Sequence, residues 1–204
     1  MKKYFITGTG TDVGKTIVSA LLCKNLRADY FKPIQTGSKE IIDRDTISKL
    51  TGVKIHKSSY CLETPASPAF AAQQENIEID FDNITLPVTN NNLIVEGAGG
   101  CMVPINRSQT TLDLITYLDL PTIIVVKNRL GCVSDTLTTI LALRTRNIEI
   151  SGVILNGDDD PFANYEAIEH YGRVPVLAMI GQIDISRNGI DNYDIGNKLI
   201  SKLI

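Results

Sequence analysis

The 204-residue chain has no tryptophan, two histidines and four cysteines, and aromatic residues make up only 6% of it. His56 and His170 are too few imidazoles for a zinc site, and Cys23, Cys61, Cys101 and Cys132 show no Cys-x-x-Cys spacing. A disulfide framework is therefore not expected, and a reduced, cytoplasmic setting is. Positive charge is also scarce: 20 Lys and Arg stand against 23 Asp and Glu, for a net charge of −3. That balance gives no footprint for nucleic acid. No run approaches the roughly 18 consecutive apolar residues of a membrane span. The chain opens straight into a β-favouring run, so no secretory leader is expected. Repeats and low-complexity tracts are missing, and the length suits one domain over residues 1–204.

What is present is a core-forming composition, 43% hydrophobic, and one dominant motif. Tyr4-Phe5-Ile6 is a short apolar strand. Gly8, Gly10 and Gly14 follow, then Lys15-Thr16, then the apolar helical run Ile17–Cys23. Strand, glycine loop, Gly-Lys-Thr and helix form a phosphate-cradling loop. Glycines let backbone N–H groups turn onto phosphate oxygens, and the helix N-terminus adds partial positive charge. Lys15 is placed to reach the outer phosphates, and the Thr16 hydroxyl to ligate Mg²⁺. Five residues separate Gly8 from Gly14, one more than in the common form, with Thr9 at the usual first-glycine position.

Further along, Tyr30–Ile34 reads as a second strand, with Lys32 near its C-terminal end. In open α/β sheets that edge faces the ligand crevice. Read alone, Lys32 is equally a solvated surface lysine. Asp45–Gly52 reads as a short helix with Asp45 as N-cap and Gly52 past its end. Residues 53–92 are polar and turn-rich, with Ala69–Glu75 helical. Leu93-Ile94-Val95-Glu96-Gly97-Ala98-Gly99-Gly100 is the second strong signal, an apolar strand ending in an acid and a glycine loop. Glu96 reads as a Mg²⁺ ligand or as an acid capped by loop amides. Helix Thr111–Leu118, strand Pro121–Lys127, a helix from Gly131-Cys132-Val133-Ser134 to Leu143, strand Ile150–Asn156, helix 162–171, strand Val174–Gly181 and a terminal helix 195–204 complete the chain. Six strands alternating with helices predict an α/β fold: three layers, a mostly parallel sheet with helices on both faces, built around a P-loop.

These residues together resemble the dethiobiotin synthetase family, ATP-dependent carboxylases of biotin synthesis. The resemblance rests on Gly8–Thr16, Lys32-Pro33-x-x-Thr36-Gly37, Asp45, Tyr60…Pro65-x-Ser67-Pro68, Val95–Gly100, Leu130-Gly131-Cys132 and the strand-end Asn156. It implies that Asp12, Val13, Gly14, Lys15, Thr16 and Ile17 bind ATP phosphates. It implies that Thr16, Asp45 and Glu96 hold Mg²⁺, and that Gly97, Ala98 and Gly99 line the site with Asn156 facing the adenine. Lys32 would be the active-site lysine, acting with Lys15, and Thr36 would contact substrate. The implied substrates are 7,8-diaminopelargonic acid and CO₂. The helix at Gly131 and Cys132 would receive the substrate carboxylate in the site of a neighbouring subunit, with Tyr165 nearby, which makes a homodimer. The chain departs from the family pattern at Gly10, Gly157 and Asp184.

Two other classes share the fold. Switch ATPases of the partition and division-site type carry an extra lysine early in the glycine loop, and residues 8–13 contain none. Glutamine-dependent amide synthetases of the corrinoid pathway need an amidotransferase domain that is not expected within these 204 residues.

Overall fold

The computed structural model describes residues 1–39, 42–157 and 161–203. Six parallel strands form the main sheet: β1 (Lys3–Gly8), β2 (Ala28–Phe31), β5 (Asn92–Gly100), β6 (Thr122–Lys127), β7 (Ile150–Asn156) and β8 (Val176–Ile180). Their order is β2-β5-β1-β6-β7-β8. With every pair parallel, the C-terminal ends of β1, β2, β5 and β7 share one edge of the sheet. The apolar runs at β1, β6 and β7 are continuous because these inner strands are covered on both faces. Phe5, Val95, Ile124, Val153 and Leu155 enter one core, and Tyr4, Ile6, Ile94, Ile123 and Ile154 the other. Burying a side chain such as Phe5 or Ile6 stabilises the fold by about 1.5–3 kcal/mol.

The helices are α1 (Lys15–Asn25), α2 (Asp43–Thr51), α3 (Pro68–Gln74), α4 (Thr111–Leu118), α5 (Cys132–Thr145), α6 (Pro161–Gly172), α7 (Arg187–Asn192) and α8 (Asn197–Leu203). α4 has the bounds expected from its sequence. Thr110 and Asp113 form a capping box that fixes its start, and Asp119 ends it in the left-handed region. Helix α7 is additional to the expected elements.

Two strand expectations are corrected. The run at 30–34 divides: β2 stops at Phe31, and Ile34–Gln35 (β3) pairs with Tyr60–Cys61 (β4) in a separate ribbon. Pro33 has no N–H for the main sheet, and its carbonyl accepts from the Tyr60 amide at 3.0 Å. The glycines after Glu96 do not begin a loop. β5 runs on to Gly100, pairing Ile6 with Glu96 and, after a register shift, Gly8 with Gly100. Glu96 is thus a mid-strand residue.

Candidate active site

The loop between β1 and α1 turns through two left-handed residues, Asp12 (φ 57°) and Gly14 (φ 92°). A Cβ on Gly14 would lie 2.0 Å from Asn156 Nδ2, so the sharp turn and the close strand end together require glycine. Asn156 donates from Nδ2 to the Val13 carbonyl at 3.0 Å, tying β7 to the loop. Lys15 folds back and donates to the Gly10 carbonyl at 2.9 Å. This sets its ammonium over the concave side of the loop.

A buried ionic cluster lies beside it. Lys32, just beyond β2, donates to Asp43 Oδ2 at 2.6 Å and to Glu96 Oε1 at 3.1 Å. Thr16 Oγ1 donates to Asp43 Oδ1 at 2.5 Å and lies 3.4 Å from Glu96 Oε1. Ser19, one turn along α1, donates to Glu96 Oε2 at 2.8 Å, and the Tyr30 hydroxyl donates to the same oxygen at 3.1 Å. Gln35 Nε2 is 3.3 Å from Asp43 Oδ2. Burial alone would lower the pKa of Lys32, but Glu96 and Asp43 outweigh it and hold the ammonium charged. Lys15 lies lower than an ordinary lysine, first through burial and then through Lys32, with the nearby acids opposing. Burial pushes Asp43 up, and Lys32 with its other donors more than reverses this.

A pocket of about 430 Å³ opens over this cluster, lined among others by Asp12, Lys15, Lys32, Thr36, Asp43 and Glu96. A second cavity, about 460 Å³, lies across the loop between Gly8–Thr11, Gly100–Pro104 and the α5 residues Asp135, Thr138, Thr139 and Ala142. One is walled by charges and the other largely by apolar and hydroxyl groups, an arrangement suited to a phosphorylated ligand beside a less polar one.

Comparison with known proteins gives the family of the chain. The AAA domain family model matches residues 2–188. The chain is 50% identical over 176 residues to the ATP-dependent dethiobiotin synthetase BioD of Lawsonia intracellularis, covering 86% of each protein. It is 48% identical to that of Paramagnetospirillum magneticum, covering 88% of each. The chain belongs to the ATP-dependent dethiobiotin synthetase family. Its fold is also that of the MinD cell-division proteins. The MinC:MinD complex of Aquifex aeolicus aligns with TM-score 0.56 at 13% identity, covering 100% of this chain and 94% of that one. A likeness that remote carries the fold alone.

Most of the site residues expected from the sequence meet in the structure. Asp12, Gly14, Lys15, Thr16, Ile17, Lys32, Thr36, Glu96, Ala98 and Gly99 all line the charged pocket. Val13 and Gly97 do not; they are buried behind it. A Cβ on Gly97 would come within 2.7 Å of Phe5 Cε1, so this glycine serves packing. Asp45 does not meet the others in this structure. It is exposed on α2, 3.6 Å from Arg44 Nε, while Asp43 holds the place beside Thr16. The helix cap lies three residues earlier than expected, at Ile42 rather than Asp45, and the helix begins at Asp43. Residues two apart point about 200° away from each other around a helix, so only one aspartate can face the cluster. Gly131 and Cys132 line neither pocket of their own chain. Gly131 caps α5 in the left-handed region without a side-chain bond, and Cys132 is buried, its Sγ 3.9 Å from Asn128 Oδ1. Ser134 is not the cap. Sequence reasoning also missed Asp43, Ser19, Tyr30 and Gln35. For Ser19 the signal was available: Thr16 and Ser19, three apart, share one helix face.

No three His, Cys, Asp or Glu side chains gather as a metal cage among the described residues. Thr16, Asp43 and Glu96 nonetheless suit a magnesium ion. They are hard oxygen donors at the phosphate loop, and magnesium is commonly held by one or two carboxylates plus substrate phosphates.

Proposed function

We propose that this protein is an ATP- and Mg²⁺-dependent dethiobiotin synthetase, converting 7,8-diaminopelargonic acid and CO₂ to dethiobiotin with release of ADP and phosphate. The observation that carries the reading is the junction of Lys15, Thr16, Lys32, Asp43 and Glu96 in one pocket under the glycine loop. One substrate amine takes up CO₂ and loses a proton to give a carbamate. A carbamate oxygen attacks the γ-phosphorus, the bond to the ADP oxygen breaks, and a carbamic–phosphoric anhydride forms. The second amine then attacks the carbonyl carbon, expels phosphate and closes the ureido ring. No protein nucleophile is needed, so positioning and electrostatics do the work.

Lys15 meets the outer phosphates of ATP, and Lys32 offers its charge to the carbamate and the transferring phosphoryl group. Thr36 lines the same pocket as Lys32 and would contact the diamine. Thr16, Asp43 and Glu96 would hold magnesium, which would supply positive charge to the phosphate oxygens. Asn156 stands at the base side of the nucleotide. The larger cavity, with Cys101, Met102, Val103 and Pro104 in its wall, suits the aliphatic part of the substrate.

The reading includes a homodimer. Leu130, Met102 and Leu141 are apolar side chains 96%, 59% and 63% exposed beside that cavity and along α5, a surface suited to a second copy. The start of α5 at Gly131 and Cys132 would then meet the substrate carboxylate in the neighbouring site through amides other than that of Cys132, which donates to the Arg129 carbonyl at 3.1 Å. No described helix is long and apolar enough to cross a membrane, in keeping with a cytoplasmic enzyme.

A coupled ADP-release assay decides between this and a switch ATPase. Release requiring both bicarbonate and the diamine is expected; release independent of both overturns the reading. Sedimentation tests the dimer, and Gly131→Glu should raise the KM for diamine and leave that for ATP unchanged.

A further inference from the structure

Glu96 is 1% exposed, and its two oxygens live in different surroundings. Oε1 meets Lys32 and Thr16, both of which line the charged pocket. Oε2 meets Ser19 and Tyr30, both fully buried and outside the pocket lining. The fold builds this division from three elements. Tyr30 pairs with Ile94 in the β2–β5 register, so Glu96 is its diagonal neighbour on the same sheet face. Ser19 comes down onto that face from α1. Two hydroxyl donors on one oxygen leave the carboxylate little freedom to rotate. A buried tyrosine hydroxyl needs such a partner, and the Glu96 oxygen at 3.1 Å accepts from it.

We infer that Tyr30, together with Ser19, is a metal-specificity residue that holds Glu96 to a single outward oxygen and so favours magnesium over calcium. It is a positioning residue, acting only through Glu96. Magnesium demands near-ideal six-fold geometry with one oxygen from each ligand, whereas calcium accepts bidentate carboxylates and higher coordination. A carboxylate whose second oxygen is tied back cannot become bidentate. Freeing Oε2 lets it turn toward the ion and lifts the discrimination. The inference rests on the magnesium reading given above.

The test is nucleotide affinity, measured by calorimetry with ADP and the whole protein in Mg²⁺, in Ca²⁺ and in EDTA. The wild type is expected to bind ADP more tightly with Mg²⁺ than with Ca²⁺ or EDTA. In Tyr30→Phe the ratio of the Ca²⁺ to the Mg²⁺ dissociation constant should fall by about ten-fold, the low end of losses seen when a residue behind a metal ligand is removed. The EDTA value should stay within about two-fold, because neither Tyr30 nor Ser19 lines the phosphate pocket. A merely structural role would move all three constants together or none. Ser19→Ala, which removes the other donor with a small cavity, should shift the ratio in the same direction, and it stands as the test if Tyr30→Phe does not fold. A wild type that binds ADP equally in Mg²⁺ and EDTA overturns the metal reading and this inference with it. A wild type that prefers Mg²⁺ to EDTA but shows no Mg²⁺-over-Ca²⁺ preference, or variants with an unchanged ratio, overturns this inference alone.

Discussion

Two buried carboxylates lie on neighbouring strands of the sheet and are held in opposite ways. Asp29, on β2, is 2% exposed and surrounded by Thr89 Oγ1 at 2.7 Å, His56 Nε2 at 2.8 Å and Asn91 Nδ2 at 2.9 Å. The acid pins the loop before β5 and the segment at 54–56 to the outer strand of the sheet. Glu96, on β5, has equal burial but shares its charge with the Lys32 ammonium and borders a pocket. Asp29 is closed, with every donor supplied by the fold. Glu96 is open, because one of its partners is the ammonium of Lys32, a side chain that lines the pocket. Burial of an acid therefore says little about its job; the identity of its donors says more.

That contrast is sharpened most strongly at Lys32. Lys32→Ala should lower kcat by at least about 10²-fold, the loss typical when one electrostatic donor is removed. It should also destabilise the metal-free protein by about 3–5 kcal/mol, since Glu96 is left buried without its cation. Mg²⁺ with ADP should restore part of that loss. Lys32→Arg should rescue stability better than rate, because a planar fork replaces a compact point charge. Steady-state rates and melting curves on the two variants check all of this, and a wild-type kcat for Lys32→Ala would return Lys32 to a packing role.

Next come the acids of the cluster. Glu96→Gln or Asp43→Asn should raise the Mg²⁺ concentration for half-maximal rate by about 10–100-fold. Titrating Mg²⁺ at fixed ATP and diamine is the measurement. Normal rates at limiting Mg²⁺ would remove these side chains from the metal site.

The closed acid should behave in reverse. Asp29→Asn should leave kcat and both KM values within error and cost about 1.5–3 kcal/mol of stability, the range for hydrogen bonds to a charged group. Burial pushes the Asp29 pKa up, but Asn91, Thr89 and His56 pull it further down, below the ordinary carboxylate value. Its contribution is then complete above the unfolded-state value of about 3.9 and disappears as pH falls through the lower folded value. Wild type and Asp29→Asn should therefore differ in melting temperature at pH 7 and converge in strong acid. A gap that persists unchanged at pH 2 would mean that the charge on Asp29 is not the source.

Much of this was legible in the sequence, for reasons that differ by element. β1, β6 and β7 announce themselves because strands covered on both faces must be apolar throughout. The phosphate loop is legible because its function needs glycine and Gly-Lys-Thr at fixed positions. β3 and β4 are two-residue strands, too short for any periodicity, so the ribbon that turns Lys32 inward left no pattern. The glycines of 97–100 read as a loop, yet they belong to β5, which pairs with β1 on both sides of a register shift where Gly99 turns left-handed (φ 62°). Tyr30 reads from sequence only as the start of a strand; its hydroxyl, which needs a partner once buried, is the sign that marks it.

The smallest effect is expected at Asp45, and it tests the comparison where sequence and structure part. On sequence grounds Asp45 opens α2 and joins Thr16 and Glu96. In the structure Asp43 occupies the first turn and faces the cluster, while Asp45 points to solvent near Arg44. Both lie in the first turn of α2, where either charge favours the helix dipole, so helix stability does not separate them. The cluster does. Asp43→Asn strips the nearest anionic partner from Lys32 and Thr16, whereas Asp45→Asn removes an exposed charge with one long ion contact. Asp45→Asn should therefore change stability by no more than about 0.5 kcal/mol, the range of ordinary surface substitutions. Its Mg²⁺ dependence should match the wild type. Measured side by side, a strong metal defect in Asp45→Asn with a normal Asp43→Asn would restore the assignment made from sequence and require α2 to rotate when nucleotide binds.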